Sequence, residues 1–154
     1  MQRVTNCILN HNGKMLMLQK PRRGWYVAPG GKMELGEHVK QAAQREFFEE
    51  TGLTLQEPEL RGVFTFVIKH EDEVVQEWMM FTFYCEQYTG QLLEQSPEGA
   101  LEWVDMADVL HKPMAEGDRY YMQHISSSER IIYGTFTYTP DFQLLDVKLD
   151  PDSP

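Results

Sequence analysis

Three glutamates crowd a single turn in the stretch GGKMELGEHVKQAAQREFFEETGL, Gly30 to Leu53, and any fold for this chain must give them something to face. His38–Thr51 reads as a helix stopped by Gly52, where a left-handed residue ends such segments. Within it Glu46, Glu49 and Glu50 stand at i, i+3 and i+4, a spacing at which like charges repel by about 0.2–0.5 kcal/mol per pair. At ~100° per residue, Val39, Ala42 and Ala43 lie on the same face. A face of small apolar residues packs closely against a neighbour, so the carboxylates are drawn towards the protein. Phe47 and Phe48 point to other sectors, which predicts apolar neighbours on more than one side of the helix. The plain alternative is a surface helix whose glutamates sit in water, as most do.

Arg45 alone does not balance three carboxylates. A hard divalent cation does, because magnesium takes oxygen ligands from one or two carboxylates and from substrate phosphates. The residues before the helix supply the rest of such a site. Gly30 and Gly31 allow close backbone approach, and Lys32 is a cation within reach of a phosphate. Together these groups point to metal-assisted attack of water on a phosphoanhydride.

The rest of the chain is rich in strands. Val4–Leu9 and Met15–Lys20 flank Asn12-Gly13, a strong hairpin signal. Val63–Lys69 and Val74–Tyr88 read as two strands joined by the acidic turn HEDE, with a further turn signal at Thr89-Gly90. Leu101–Val104, Ile131–Tyr138 and Leu144–Leu149 are further strand candidates. A second helix is expected over Asp118–Ser126, with Asp118 as a candidate N-cap, and a short one over Asp105–Leu110, ended before Pro113. Hairpins with few helices predict an α/β (α+β) fold, a mixed sheet with helices packed on its faces. No internal repeat, linker or composition shift divides the chain, so one domain over residues 1–154 is expected.

Composition narrows the function. The net charge is −10, from 14 Lys+Arg against 24 Asp+Glu, which argues against binding to a nucleic-acid duplex. The local cluster KPRRGW, with Lys20, Arg22 and Arg23, still suits a small anion, although such a run also fits a solvated turn. No apolar run reaches the roughly 18 residues of a membrane span, and MQRVTNCILN lacks the features of a secretory signal. Cys7 and Cys85 lie in strand-like segments without CxxC spacing, which predicts buried, reduced thiols and a cytoplasmic protein.

From Gly31 to Leu53 the chain resembles the Nudix box. Gly31, Glu37, Arg45, Glu46, Phe47, Glu49, Glu50, Gly52 and Leu53 fill every specified position, and only Phe47 departs mildly, from the usual aliphatic residue. The resemblance implies the Nudix fold, a mixed sheet sandwiched between helices. It implies Glu46, Glu49 and Glu50 as ligands of magnesium, with manganese as a substitute. Arg45 and Glu37 would pair with and orient these ligands, and Gly31 would shape the loop. The later segments SPEGALEWV, KPMAEGDRYY and YGTFTYTPDFQLLDVKLD resemble the MutT-type branch, which hydrolyses nucleoside triphosphates, including oxidised purine nucleotides. There Glu98 lies in the loop that often holds a further metal ligand or base; an exposed loop glutamate is the alternative.

The base-reading half departs from that branch. Where oxidised-purine enzymes have Trp-Pro-Asp-Asp, this chain has Ala115, Glu116, Gly117 and Asp118, and Val27 replaces their base-reading Asn. A stacking ring is worth about 1–3 kcal/mol per base, so weak recognition of any one oxidised purine is expected. Asp118 remains as a base reader or as a helix cap. Trp25, Tyr26, Phe81 and Phe83 fit either a base pocket or the core. Lys20 and Arg23 fit a clamp for terminal phosphates. His11, His38, His70, His111 and His124 share no metal-ligand spacing and suit surface or loop roles.

The expected activity is magnesium-dependent hydrolysis of nucleoside triphosphates to a monophosphate and pyrophosphate, serving to sanitise the nucleotide pool, by a monomer or homodimer. Two alternatives use the same fold. One is the same chemistry on an RNA 5′ end or a nucleotide sugar. The other is a nucleotide sensor without catalysis, disfavoured because every glutamate of the box is present.

Overall fold

The computed structural model describes residues 1–152. Strands β1 (Gln2–His11) and β2 (Lys14–Gln19) form the expected hairpin; Asn12 at φ 53° and Gly13 at φ 82° make its two-residue turn. Short β3 (Tyr26–Val27) and β4 (Gly30–Lys32) precede helix α1 (Val39–Thr51), and β5 (Leu53–Gln56) follows it. Long β6 (Glu59–His70) and β7 (Glu73–Cys85) turn through Glu71 and Asp72, both at positive φ. Then come β8 (Gln87–Gly90), β9 (Ala100–Asp105), a 3-10 turn (Met106–His111), α2 (Glu116–Ser127), β10 (Ile132–Tyr138) and β11 (Leu144–Asp150).

Among the described residues nine strands form one mixed sheet in the order β11-β10-β6-β7-β1-β2-β3, with β4 paired to β1 and β9 to β2. β5 and β8 form a separate antiparallel pair. The expected single strand Val74–Tyr88 is therefore two: its last residues leave β7 after Cys85 and pair with β5. Apolar alternation runs on past that break, so the sequence pattern carries no mark of the change of partner.

β1 organises the site because its two faces alternate between the two helices. Cys7 and Leu9 face the α1 side with Ala43, Phe47 and Phe83, whereas Ile8 faces the α2 side with Phe64, Tyr121 and Phe136. Burying Phe47 completely is worth about 1.5–3 kcal/mol, enough to fix which way α1 rolls. The expectation of apolar neighbours around α1 holds for Phe47 alone. Phe48 is 53% exposed and faces solvent. Cys7 and Cys85 are buried free thiols. Among the described residues no helix is long and apolar enough to cross a membrane.

α2 begins earlier than expected. Its cap residue is Ala115, without a side-chain cap bond, so Asp118 lies in the first turn and is not the N-cap. The helix start is held instead by Tyr138, whose hydroxyl oxygen accepts from the Gly117 N–H at 2.8 Å.

Candidate active site

His38 opens α1, its Nδ1 accepting from the Gln41 N–H at 3.0 Å, and Gly52 closes it at φ 81°. The helix so fixed sets its carboxylates against β4. β4 is itself held to β1, where Asn6 pairs with Gly30 and Thr5 with Gly31. A Cβ at position 30 would overlap the Thr5 carbonyl oxygen, and one at position 31 would overlap the Glu46 carboxylate. Both glycines are thus required by close approach, and Gly31 makes the cradle in which Glu46 lies.

Arg45 is the hub of the site. Its Nε and Nη2 donate to the two oxygens of Glu37 at 2.7 and 2.9 Å, and Nη2 also to the Lys32 carbonyl at 3.1 Å. Nη1 donates to Glu46 at 2.8 Å and to Glu49 at 3.0 Å. Bidentate guanidinium–carboxylate bonds of this kind are strong and geometrically exacting. Arg45, with the Glu34 N–H adding to it, holds the Glu37 carboxyl down at about 2. Glu34 itself lies 3.7 Å from Nη1.

Glu50 behaves differently from its neighbours. It is 7% exposed, and its Oε1 accepts from the Gly30 N–H at 3.1 Å. Burial raises its carboxyl to about 7; the Gly30 bond and Lys20 oppose the shift, while the charges of Glu98 and Glu46 add to it. Glu98 stands nearby, its carboxylate 3.6 Å from Lys20 Nζ. Beside this pair opens a cleft of about 930 Å³, walled by Lys20, Pro21 and Arg22 on one side and by Gln95–Glu98 on the other.

The expected site residues therefore divide. Glu37, Arg45, Glu46, Glu49, Glu50, Gly30 and Gly31 come together, with Lys20 and Glu98 at the rim. Lys32 gives Arg45 its carbonyl while its side chain is exposed. Arg23 is elsewhere: its guanidinium lies 5.0 Å from the Trp25 ring and 5.1 Å from the Phe142 ring, a cation held between two aromatic faces. Asp118 lies in the first turn of α2, half-buried beside Tyr121 and Tyr138, and burial raises its carboxyl to about 7. The Tyr121 hydroxyl accepts from Nδ2 of Asn6, the β1 residue paired with Gly30, at 3.4 Å.

Of the ring candidates, Tyr26 and Phe83 are core and Phe81 packs against the α1-side cluster. Among the histidines, His124 departs from the surface reading: it is 2% exposed, with both ring nitrogens unpartnered. Two supports carry no sequence signature. Tyr26 donates to Glu102 at 2.9 Å and Lys112 pairs with the same carboxylate at 3.1 Å. Arg119 donates to the carbonyls of Leu110, Lys112 and Met114, which fixes the approach to α2.

Among the described residues no three His, Cys, Asp or Glu side chains converge as a ready metal cage. The donor chemistry nonetheless fits a hard cation. Glu46, Glu49 and Glu50 offer oxygens only, Gly31 leaves room at Glu46, and Arg45 already gathers two of the three carboxylates around one positive charge.

A glutamate-bearing helix packed on a glycine strand, within a mixed sheet covered by a helix on each face, defines a class of hydrolases that act on phosphoanhydrides. The chain belongs to the Nudix family: the NUDIX domain model matches residues 1–125. Members of this family generally use divalent metal ions. The chain is 54% identical over 151 residues to the uncharacterised Nudix hydrolase YvcI of Bacillus subtilis, covering 98% of this chain and 96% of that one. It is 28% identical to an oxidised purine nucleoside triphosphate hydrolase of Danio rerio, over 96% of this chain and 93% of the relative. Among solved structures, a mutator MutT protein from Bacillus halodurans superposes with a TM-score of 0.96 at 54% identity, covering 98% and 99% of the two chains.

Proposed function

We propose that this chain is a magnesium-dependent pyrophosphohydrolase that cleaves nucleoside triphosphates to a monophosphate and pyrophosphate, with manganese able to replace magnesium. The observation that carries the reading is the Arg45 hub: one guanidinium gathers Glu37, Glu46 and Glu49 beside the Gly30-Gly31 strand and the buried Glu50. Similarity to the Danio rerio nucleoside triphosphate hydrolase supports the substrate class, and so does similarity to a CTP pyrophosphohydrolase of Escherichia coli, 28% identical over 120 residues. The buried free thiols support a reducing, cytoplasmic setting.

Glu46, Glu49 and Glu50 would hold the ion. When bound, it shields phosphate charge and lowers the pKa of water. The chain's own groups do the rest. Glu37 anchors Arg45, so the guanidinium keeps its place when Glu46 and Glu49 engage another cation. Glu50, lifted to about 7, is matched to taking a proton from water near neutral pH. The Gly30 N–H engages Glu50 Oε1, which leaves the other oxygen either to hold the ion or to take the proton; in the second role Glu46 and Glu49 would hold the ion. Glu98, held at the rim by Lys20, is the second candidate for that role, and Glu49 the third. Lys20 offers a charge-assisted bond to the outer phosphates. Asp118 would contact the base, and Ala115 leaves it without a stacking ring.

A panel of nucleoside triphosphates with magnesium, scored by product identity, tests the reading. Monophosphate plus pyrophosphate supports it; inorganic phosphate as the sole product, or no metal-dependent turnover, overturns it. The cleft beside Lys20 and Glu98 favours one second reading, in which the same chemistry acts on an RNA 5′ end or a nucleotide sugar, whose larger leaving groups it could hold.

A further inference from the structure

β11 forms one end of the nine-stranded sheet, paired to β10 on one side and open on the other. An open edge presents unpaired N–H and C=O groups, a template for another strand, and alternating charge there ordinarily deters pairing. On β11 the charges are Asp146, Lys148 and Asp150, all exposed on one face. Val147 and Leu149 turn to the other face and pack on the α2-side core.

We propose that β11 pairs antiparallel with β11 of a second copy of this chain, about a two-fold axis at Val147. Residues directly opposite share a face and interact, opposite charges attracting and like charges repelling. A two-fold axis normal to the sheet allows only registers that keep each face aligned. Centred on Val147, the pairing sets Asp146 opposite Lys148 of the second copy and Lys148 opposite its Asp146. Moving the centre to Asp146 sets that carboxylate against itself. Moving it to Lys148 sets lysine against lysine and Asp146 against Asp150. Charge thus selects one register and rejects its two neighbours. In that register Val147 meets Val147 on the α2 face, and the register shift that leaves Leu145 out of the β10 ladder bounds the regular pairing beyond Asp146. Leu145, 57% exposed, stands at that irregularity beside the junction and gains cover. Pro151 brings no N–H and ends the pairing.

A strand junction of this length falls below the ~1,200 Å² of standard interfaces, so association in the micromolar range is expected. Sedimentation of the full chain from about 1 to about 300 µM, at low and high salt, reads it out, with weaker association at high salt. Asp146→Lys and Lys148→Asp should each weaken association at least ~10-fold, because each places like charges opposite at this register. The double exchange Asp146→Lys with Lys148→Asp should restore it. Both side chains are exposed, and unchanged melting temperatures will establish that the variants fold. A wild-type protein that stays monomeric over the whole range overturns the proposal, as do single variants that associate normally or a double exchange that fails to restore.

Discussion

Two arginines hold two ends of this molecule by opposite means. Arg45 is surrounded by carboxylates, five bonds to side chains and one to a carbonyl. Arg119 reaches only backbone oxygens, at Leu110, Lys112 and Met114. The first arrangement brings together charges that would otherwise repel, so another cation can compete for its partners. The second has nothing to exchange and simply fixes the loop entering α2. A hub of exchangeable carboxylates suits the proposed chemistry, and a hub of carbonyls suits a scaffold.

Removing a carboxylate of the first region should have the largest effect. Glu46→Gln or Glu50→Gln is expected to lower kcat by roughly a thousandfold, about 4 kcal/mol of barrier. Glu50→Gln should also leave metal-free melting unchanged or raised, because it relieves a buried carboxyl. Full activity combined with lost metal-free stability would reverse the assignment.

Next come the arginines themselves. Arg45→Ala should lower kcat/KM by about 10–100-fold, as for other groups that orient metal ligands, and should shift the magnesium dependence. Arg119→Ala should cost about 1–3 kcal/mol of stability through unsatisfied carbonyls and leave that dependence untouched. Matched metal titrations and melts of the two variants would erase the contrast if they came out alike.

A smaller effect lies in pH. Glu37 has a folded value near 2 against an ordinary 4.5, so its stabilisation is complete above 4.5 and is lost as pH falls towards 2. Glu37→Gln should flatten that acid limb. Glu50 is shifted the other way, from 4.5 to about 7, so its cost is absent below 4.5 and grows until pH passes 7. The advantage of Glu50→Gln in the metal-free protein should therefore increase over that window and then level off. An advantage that shrinks with rising pH would contradict the burial argument.

The scaffold region predicts a limit. With Ala115 at the head of α2, preference between oxidised and ordinary guanine triphosphates should stay under roughly a hundredfold in kcat/KM, about 2.7 kcal/mol. A larger ratio would mean that other residues read the base. Smallest of all is the basic turn. Lys20→Ala should weaken triphosphate use more than diphosphate use, by about tenfold. Arg22→Ala and Arg23→Ala should do little, Arg23 because it is engaged by Trp25 and Phe142.

The contrast also explains what could be read from the residues alone. α1, its glycine stop and the crowding of Glu46, Glu49 and Glu50 are local features, written within one helical period. So is the Asn12-Gly13 hairpin. The division of Val74–Tyr88 into β7 and β8 depends on β5 competing for the last residues, a tertiary choice that leaves the alternation unchanged. Arg23 looks like any cation near a phosphate site until Phe142, far along the chain, folds over it. Asp118 has the residue type of a cap, yet the Tyr138 hydroxyl already occupies the helix start.

The pairing of β1 also bears on the order of events during synthesis. β1 can close its hairpin with β2 as soon as Lys14–Gln19 are made, but its eight-residue parallel ladder with β7 begins at Trp78. At about 5–20 residues per second, the ribosome takes roughly 3–14 s to travel from the hairpin to that strand. Through that interval Gly30 and Gly31 can find β1 while the Thr5 and Cys7 face still lacks its other neighbour. Long-range parallel pairing is intrinsically slow, so the strand that seats Gly30 and Gly31 is among the last to be secured. Variants that weaken the β1–β7 ladder should lower the yield of active enzyme during synthesis more than they change the rate of molecules already folded.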